Sequence, residues 1–337
     1  MLKTVNIWSF ALVGVAIRLF FYKKSITQAV RIVRLAMLVV VFEIILTSCS
    51  SLQPPAPLVV PEGLIIFLSD NSPAFVGVQR EISKRYQHAI KIYSLGGDEN
   101  QSAETLKKIQ SSDKPTVVAI GLPAAKLARG LSNKKVIFCQ VFNYEDTDLI
   151  TSWMKGVDAT PAVMEQFRVW KTLAPRLKKV GVIIGKNQRS LIDKAVTAAR
   201  VQHIDLVHVE VKSDKETLYA YKQLAPKIQG LWLVPDNRVL SGETIRDIMA
   251  YSVKEGKQVA VFSHALLGVG GLLSAESSNA DIAVQVLARI EQAGQSKEVP
   301  GKSMTALTKA NIRINPVMVG RLNLSLPKSL QGLTQVP

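Results

Sequence analysis

Six turns of this chain carry small polar side chains, and each turn directly follows a short apolar run. Hydroxyl, amide and carboxylate groups in such turns can hydrogen-bond a small solute, and a helix that starts beyond the turn offers backbone N–H groups to an anion. Asp70 or Asp236 can receive an ammonium group. The pattern therefore predicts a site for an amino acid or a similar small carboxylate. Its predicted members are Ser69, Asp70, Asn71, Ser72, Gly121, Leu122, Gln140, Asn143, Asn187, Asp236, Asn237 and His264.

The same residues also have structural interpretations, which the sequence leaves open. Serine, aspartate and asparagine are typical of turns and helix caps, which would account for the run from Ser69 to Ser72. Asp236 can cap its own turn, and His264 can be a hydrogen-bonded loop residue. Phe142 fits a stacking contact with a solute and core packing equally well.

The sequence carries no recognisable catalytic signature. The four histidines lie at no metal-ligand spacing, and the two cysteines form no Cys-x-x-Cys motif. There is no Gly-x-Ser-x-Gly nucleophile elbow and no Walker A loop. Ser69–Ser72 follows the first predicted strand in place of Gly-x-Gly-x-x-Gly, which argues against a dinucleotide-binding oxidoreductase. We therefore predict neither an enzyme nor a metal or cofactor.

The charge pattern argues against nucleic acid as a partner. The chain of 337 residues has a formal net charge of +16, but its lysines and arginines are scattered, with no run of five. Scattered charges are typical of solvated helix faces. The acidic pair Glu145 and Asp146, in a predicted loop, is interpreted in the same way.

Residues 1–48 are predicted to be a signal or leader segment. Arg31 and Arg34 precede the apolar run Leu35–Leu46, which is shorter than the roughly 20 residues needed to span a bilayer. The run ends in Leu-Thr-Ser-Cys, which resembles a bacterial lipobox, so Cys49 is the predicted lipidation site. Segment 49–61 is polar and rich in proline and is interpreted as an extended, lipidated tether. An uncleaved N-terminal membrane anchor is the alternative.

From residue 62 onward, short apolar runs alternate with helical periods, which predicts α/β architecture with parallel sheets covered on both faces. The alternation occurs twice, so we predict two doubly wound lobes joined by a hinge. The first lobe is assigned residues 62–143 and about 276–300, the second 144–275 and about 303–315, and 316–337 is a tail. The predicted strands are Gly63–Leu68, Ala89–Ser94, Thr116–Ile120 and Lys135–Gln140, then Lys179–Ile184, Asp205–Val211, Gly230–Val234 and Gln258–Phe262.

Five segments carry a resemblance to a known family. They are Val118–Ala125, Leu173–Val182, Leu231–Ser241, Gly271–Ser274 and Ile314–Pro327. In these segments the chain resembles the substrate-binding proteins of ABC transporters, which have the type I periplasmic-binding fold. The resemblance implies two lobes that close on a small solute and pass it to a permease driven by ATP. It does not extend to Leu122, where family members often have a hydroxyl residue.

Two functions agree with these features. We expect a monomeric lipoprotein of the cell envelope, facing the periplasm, that captures a small solute for an ABC importer and docks on its inner-membrane permease. The alternative is an envelope lipoprotein of the same fold that acts as a ligand sensor or as the partner of another protein. In both cases, acylated Cys49 would hold the chain on the lipid bilayer.

Overall fold

The structure, a computed structural model, describes residues 63–96, 102–294 and 303–336. The predicted leader, the predicted tether and Cys49 lie outside these residues. Two six-stranded sheets with flanking helices make up the described part of the chain. None of its helices combines the length and the apolar character that a membrane span requires.

The first sheet is buried on both faces. Its strands are β1 (Leu64–Leu68), β2 (Ile90–Ser94), β3 (Thr116–Ile120), β4 (Lys135–Cys139), β5 (Met154–Val157) and β11 (Met304–Thr305). Their order is β11-β5-β4-β3-β1-β2, with every pair parallel. The helices of this lobe are α1 (Pro73–Arg85), α2 (Ser102–Gln110), α3 (Leu122–Ala128) and α8 (Asn279–Gly294). Leu64 and Ile66 enter the core on one face and Ile65 and Phe67 the core on the other, which explains the continuous apolar runs.

The second sheet repeats this plan. Its strands are β6 (Lys179–Ile184), β7 (Asp205–Glu210), β8 (Gly230–Trp232), β9 (Gln258–Val261), β10 (Leu273–Glu276) and β12 (Asn311–Ile314). Their order is β12-β10-β9-β8-β6-β7, and β12 runs antiparallel to β10. The helices are α4 (Val163–Leu173), α5 (Arg189–Val201), α6 (Asp214–Leu224), α7 (Gly242–Lys254) and α9 (Pro316–Arg321). The predicted α/β architecture of two lobes is confirmed.

The structure differs from the sequence prediction in three segments. Strand β5 follows residue 144, where the second lobe was predicted to begin, yet it pairs with β4. Strand β11, whose region was assigned to the second lobe, pairs with β5. Both strands are short, so they lack the long apolar run that marks a buried strand. The predicted tail is also part of the second lobe, because Met318, Val319 and Leu330 are buried in its core.

Three connections in the described residues cross from one sheet to the other: β5 to α4, β10 to α8, and β11 to β12. Carboxylates hold the third crossover from both lobes. Asp281 of α8 accepts hydrogen bonds from the backbone N–H groups of Thr308 and Lys309, at 2.8 and 3.0 Å. Glu165 of α4 accepts one from Ala310 at 2.8 Å. The crossovers therefore form a hinge with a fixed attachment in each lobe.

Candidate functional site

A cavity of about 980 Å³ lies between the lobes, beside the crossovers. Its volume is at the upper end of the range of small-molecule sites, roughly 300–1,000 Å³. Among the predicted binding residues, all of which the structure describes, Gln140 alone lines this cavity. The other lining residues include Pro73, Gly77, Arg80, Glu81, Lys84, Phe142, Thr160, Gln166, Trp232, Leu233, Val234, Pro235, Phe262, Glu276, Ser278 and Asn279.

Trp232 forms a fixed wall of the cavity on the side of the second sheet. It is 3% exposed, and its Nε1 donates a hydrogen bond to Gln166 Oε1 at 3.0 Å. The ring centroids of Trp232 and Phe167 lie 5.4 Å apart in an edge-to-face arrangement. The first lobe contributes Phe142, which is 43% exposed. The cavity therefore offers aromatic surface from both lobes.

Glu276 brings a carboxylate to the cavity wall, and His264 helps to hold it. The hydroxyl of Ser263 and the backbone N–H of His264 donate to Glu276 Oε1, at 3.0 and 2.7 Å. The ring Nδ1 of His264 lies 2.8 Å from the hydroxyl oxygen of Ser274. Burial lowers the pKa of His264 below its ordinary value, although the nearby carboxylate of Glu276 acts to raise it. His264 therefore positions Glu276 and does not itself line the cavity.

The turn after β1 uses its polar groups within the fold. The hydroxyl of Ser69 donates to the carbonyl oxygen of Ile120 at 2.9 Å and accepts from the backbone N–H of Ala124, in the first turn of α3, at 3.0 Å. Asp70 Oδ1 accepts from the backbone N–H of Ser72 at 2.7 Å. These are the turn and cap roles that the sequence left open as the alternative.

Gly121 and Leu122 also serve the fold. Gly121 has φ of 89°, and a Cβ there would lie 2.5 Å from the hydroxyl oxygen of Ser69, so glycine is required. Leu122 packs against the core on one face of the first sheet, which explains an apolar residue at this position. Asn71 and Asn237 have exposed side chains.

The carboxylate of Asp236, just beyond β8, is fully buried and accepts hydrogen bonds from neighbouring residues of the chain. Arg238 Nε and Nη2 donate to its two oxygens, each at 2.7 Å, and the backbone N–H of Gly185 donates to Oδ2 at 3.0 Å. Asn143 Nδ2 reaches Oδ1 from the first lobe at 3.3 Å. Burial acts to raise the pKa of Asp236, but these hydrogen bonds outweigh it and hold the pKa below 3.8.

The loop between β4 and β5 contacts the second lobe through a set of polar groups that we call the interlobe bridge. Glu145 Oε2 and Oε1 accept hydrogen bonds from the backbone N–H groups of Arg189 and Ser190, at 3.1 and 3.0 Å. A carboxylate at this helix start is favourable because the dipole of α5 is positive there. The interlobe bridge consists of Asn143, Glu145 and Asp146 in the first lobe and Asn187, Gln188, Arg189, Ser190, Asp236 and Arg238 in the second.

Asp146 is the second acid of the interlobe bridge. It forms an ion pair with Arg238 and accepts a hydrogen bond from Asn187 Nδ2 at 2.5 Å. Asn143 Oδ1 accepts one from Gln188. Glu145 and Asp146 are exposed, in agreement with their interpretation as a solvated pair, but both also contact the second lobe, which the sequence did not predict. The predicted residues Asn143, Asn187 and Asp236 do come together.

Several solved structures share this fold. One is a domain in complex with L-Trp from Streptococcus pneumonia, with 18% identity and a TM-score of 0.54, covering 81% of this chain and 98% of that chain. Another is the ligand-free, open structure of a substrate binding protein with adhesive properties from Clostridium difficile, with 15% identity and a TM-score of 0.61, covering 82% and 99%. A third is a complex of XylFII with LytSN, with 12% identity and a TM-score of 0.54, covering 77% and 99%.

These TM-scores support a common fold, the type I periplasmic-binding fold with two lobes. No curated protein matches the chain. The sequence of residues 78–333, which includes every strand except β1 and most of the cavity lining, matches the family described as ABC transporter substrate binding protein. This match extends over most of the chain, and the chain therefore belongs to that family.

Proposed function

We propose that this protein captures a small solute in the cavity between its lobes and delivers it to the permease of an ABC importer. The observation that carries the proposal is the cavity of about 980 Å³, whose walls come from both lobes and from the hinge. A solute that contacts both walls binds the closed arrangement more tightly than the open one, and this difference drives closure. The aromatic walls favour a solute with an apolar body, and Arg80 of α1 provides positive charge for a carboxylate, whereas Lys84 pairs with Glu81 at 2.8 Å.

A screen of solutes by thermal shift tests this proposal. At 100-fold excess over its dissociation constant, a bound solute stabilises the folded state by about 2.7 kcal/mol, which corresponds to a rise in Tm of about 5–10 °C. The panel contains amino acids, carboxylic acids, sugars and nucleosides. We expect Phe142→Ala to reduce the shift given by the active solute. Tyr219→Ala, which removes an exposed aromatic ring from α6, is the matched control and should leave the shift unchanged. A panel without any shift at millimolar concentration would argue against solute capture.

We further propose that acylated Cys49 anchors the protein on the periplasmic face of the cell envelope. The support for this is the apolar run that ends in Leu-Thr-Ser-Cys and the polar tether after it. An alkyne analogue of palmitate should label the wild type, and Cys49→Ser should abolish both the label and recovery with membranes. Cys139→Ser is the matched control and should keep both, because Cys139 is buried and burial raises the pKa of its thiol to about 12. Membrane recovery of Cys49→Ser would support the uncleaved anchor instead.

The second function that we consider is a sensor or interaction partner with the same fold. The interlobe bridge favours it, since it joins the lobes directly on that side of the cleft. The structure of XylFII with LytSN is a complex of this fold with a second protein. Genes for a permease and an ATPase beside the gene for this chain would favour transport, and their absence would favour this second function.

A further inference from the structure

Asp236 does not itself line the cavity, but it lies next to the place where a solute cation would be expected to bind. It directly follows Pro235, which lines the cavity, at the carboxyl end of β8. Ligands of open α/β sheets bind beyond the carboxyl ends of the strands. A carboxylate that is buried at such a place needs a positive partner, because an unpaired buried charge is strongly unfavourable.

The chain itself supplies that partner. The guanidinium of Arg238 is bidentate, with Nε 2.7 Å from Oδ1 and Nη2 2.7 Å from Oδ2 of Asp236. Gly185 makes room for this pair, because a Cβ at that position would lie 2.8 Å from Asp236 Oδ2 and 3.0 Å from Arg238 Nη2. A bidentate arginine–carboxylate pair is both strong and directional.

The remaining hydrogen-bonding capacity of Asp236 is also in use. Oδ1 accepts from the backbone N–H of Arg238 at 3.2 Å and from Asn143 Nδ2 at 3.3 Å. Oδ2 accepts from the backbone N–H of Gly185 at 3.0 Å, and Gln188 Nε2 lies 3.5 Å away. A carboxylate has about four acceptor positions. An ammonium group can therefore reach Asp236 only by displacing donors that are already in place.

The same guanidinium also joins the two lobes. Its Nη1 contacts the carboxylate of Asp146, which belongs to the first lobe. Arg238 thus links a buried acid of one lobe to an acid of the other lobe. A cationic group of a solute bound between the lobes would make this same kind of link.

The two acids that line the cavity also have partners within the fold: Glu81 pairs with Lys84 and Arg85, and Glu276 Oε1 accepts hydrogen bonds from Ser263 and His264. We propose that Arg238 determines the specificity of the cleft, as the protein's own cation that occupies the ammonium position at Asp236, so that the cleft selects solutes without an ammonium group. This inference rests on the proposed function and narrows its solute class. It favours a carboxylate over the amino acid that the sequence also allowed. Solutes with an α-amino group are disfavoured because Asp236 is already neutralised.

Isothermal titration calorimetry with matched pairs of solutes tests the proposal. The pairs are L-tryptophan with 3-indolepropionate, L-phenylalanine with 3-phenylpropionate, L-leucine with 4-methylpentanoate and L-glutamate with glutarate. In every pair, we expect the wild type to bind the amino acid no more tightly than its deaminated partner. For at least one pair, we expect Arg238→Ala to increase the affinity for the amino acid at least tenfold relative to its deaminated partner. The double variant Asp236→Asn/Arg238→Ala should lose this gain, because it has no carboxylate to receive the ammonium group.

Three outcomes would overturn the proposal: a tenfold preference of the wild type for an amino acid, no gain in Arg238→Ala, or the same gain in the double variant. Circular dichroism establishes that each variant is folded. If Arg238→Ala does not fold, Arg238→Gln removes the charge with less loss of packing and carries the same prediction. A tenfold preference of the wild type for an amino acid would refute this specificity while supporting solute capture. A thermal-shift panel without any active solute would instead count against solute capture itself.

Discussion

The double variant Glu145→Ala/Asp146→Ala is expected to open the cleft of the solute-free protein. It removes the carboxylate that caps α5 and the ion pair between Asp146 and Arg238. Loss of a helix cap costs about 0.5–2 kcal/mol, and an ion pair at a partly exposed site contributes about 0–1 kcal/mol. A combined loss of about 0.5–3 kcal/mol shifts the equilibrium between closed and open forms by roughly 2- to 150-fold.

Spin labels on opposite lobes measure this opening. Lys126→Cys in α3 and Lys215→Cys in α6 place one label on an exposed residue of each lobe, in a chain whose Cys49 is replaced by serine. We expect the distance distribution of the double variant to change towards a longer, broader form. Glu243→Ala/Asp247→Ala removes two exposed acids from α7, which packs on α6 and β9, and is the matched control. Identical distributions for the double variant and the wild type would refute the bridging role.

Trp232→Ala is expected to lower the free energy of unfolding by about 3–5 kcal/mol, the usual cost of truncating a buried aromatic residue. Trp232 is almost completely buried, packs edge-to-face on Phe167 and donates to Gln166. Truncation leaves a void beside the cavity and an amide oxygen without its donor. Urea denaturation followed by far-UV circular dichroism measures the change.

Trp232→Phe separates the two contributions. It keeps an aromatic ring against Phe167 but removes the hydrogen bond to Gln166, so we expect a loss of about 1–3 kcal/mol from the unsatisfied buried group together with a smaller packing loss. The loss should therefore be clearly smaller than that of Trp232→Ala. If Trp232→Ala were within 1 kcal/mol of the wild type, Trp232 would not be a packed wall of the cavity.

The alternation of buried runs and amphipathic helices was sufficient to predict eight of the twelve strands in the described residues. β1 was predicted as Gly63–Leu68 and is Leu64–Leu68, because its residues are apolar on both faces. Ser213 and Glu216 have the spacing that is typical of a helix start, and at the start of α6 the Ser213 hydroxyl does accept from the backbone N–H of Glu216 at 3.3 Å. β5 and β11 were missed because their pairing, and not their own apolar character, defines them as strands.

The candidate site was predictable only in part. The rule that ligands bind beyond strand ends indicated Gln140, which lines the cavity, and Asn143 and Asp236, which belong to the interlobe bridge. It does not indicate which polar groups the fold itself uses. Asp236 and Asn143 are 93 residues apart in the chain, and Asp146 and Arg238 are 92 apart, so no local pattern reveals these contacts. Trp232 was not among the predicted site residues. It precedes the Asp236 turn by only four positions, and this proximity is the local signal that could have indicated it as part of the cavity wall.

The helix α8 comes after the whole second sheet but packs on α1 of the first lobe, where Ile282 and Val286 share a core with Val78 and Ile82. The second lobe, in turn, is completed only by β12 and α9, near the C-terminus. A ribosome must therefore synthesise the chain as far as α8 before the first core can close, and as far as α9 before the second can close. Until then apolar strand surface stays unprotected, which agrees with the proposal that the chain is exported before it folds.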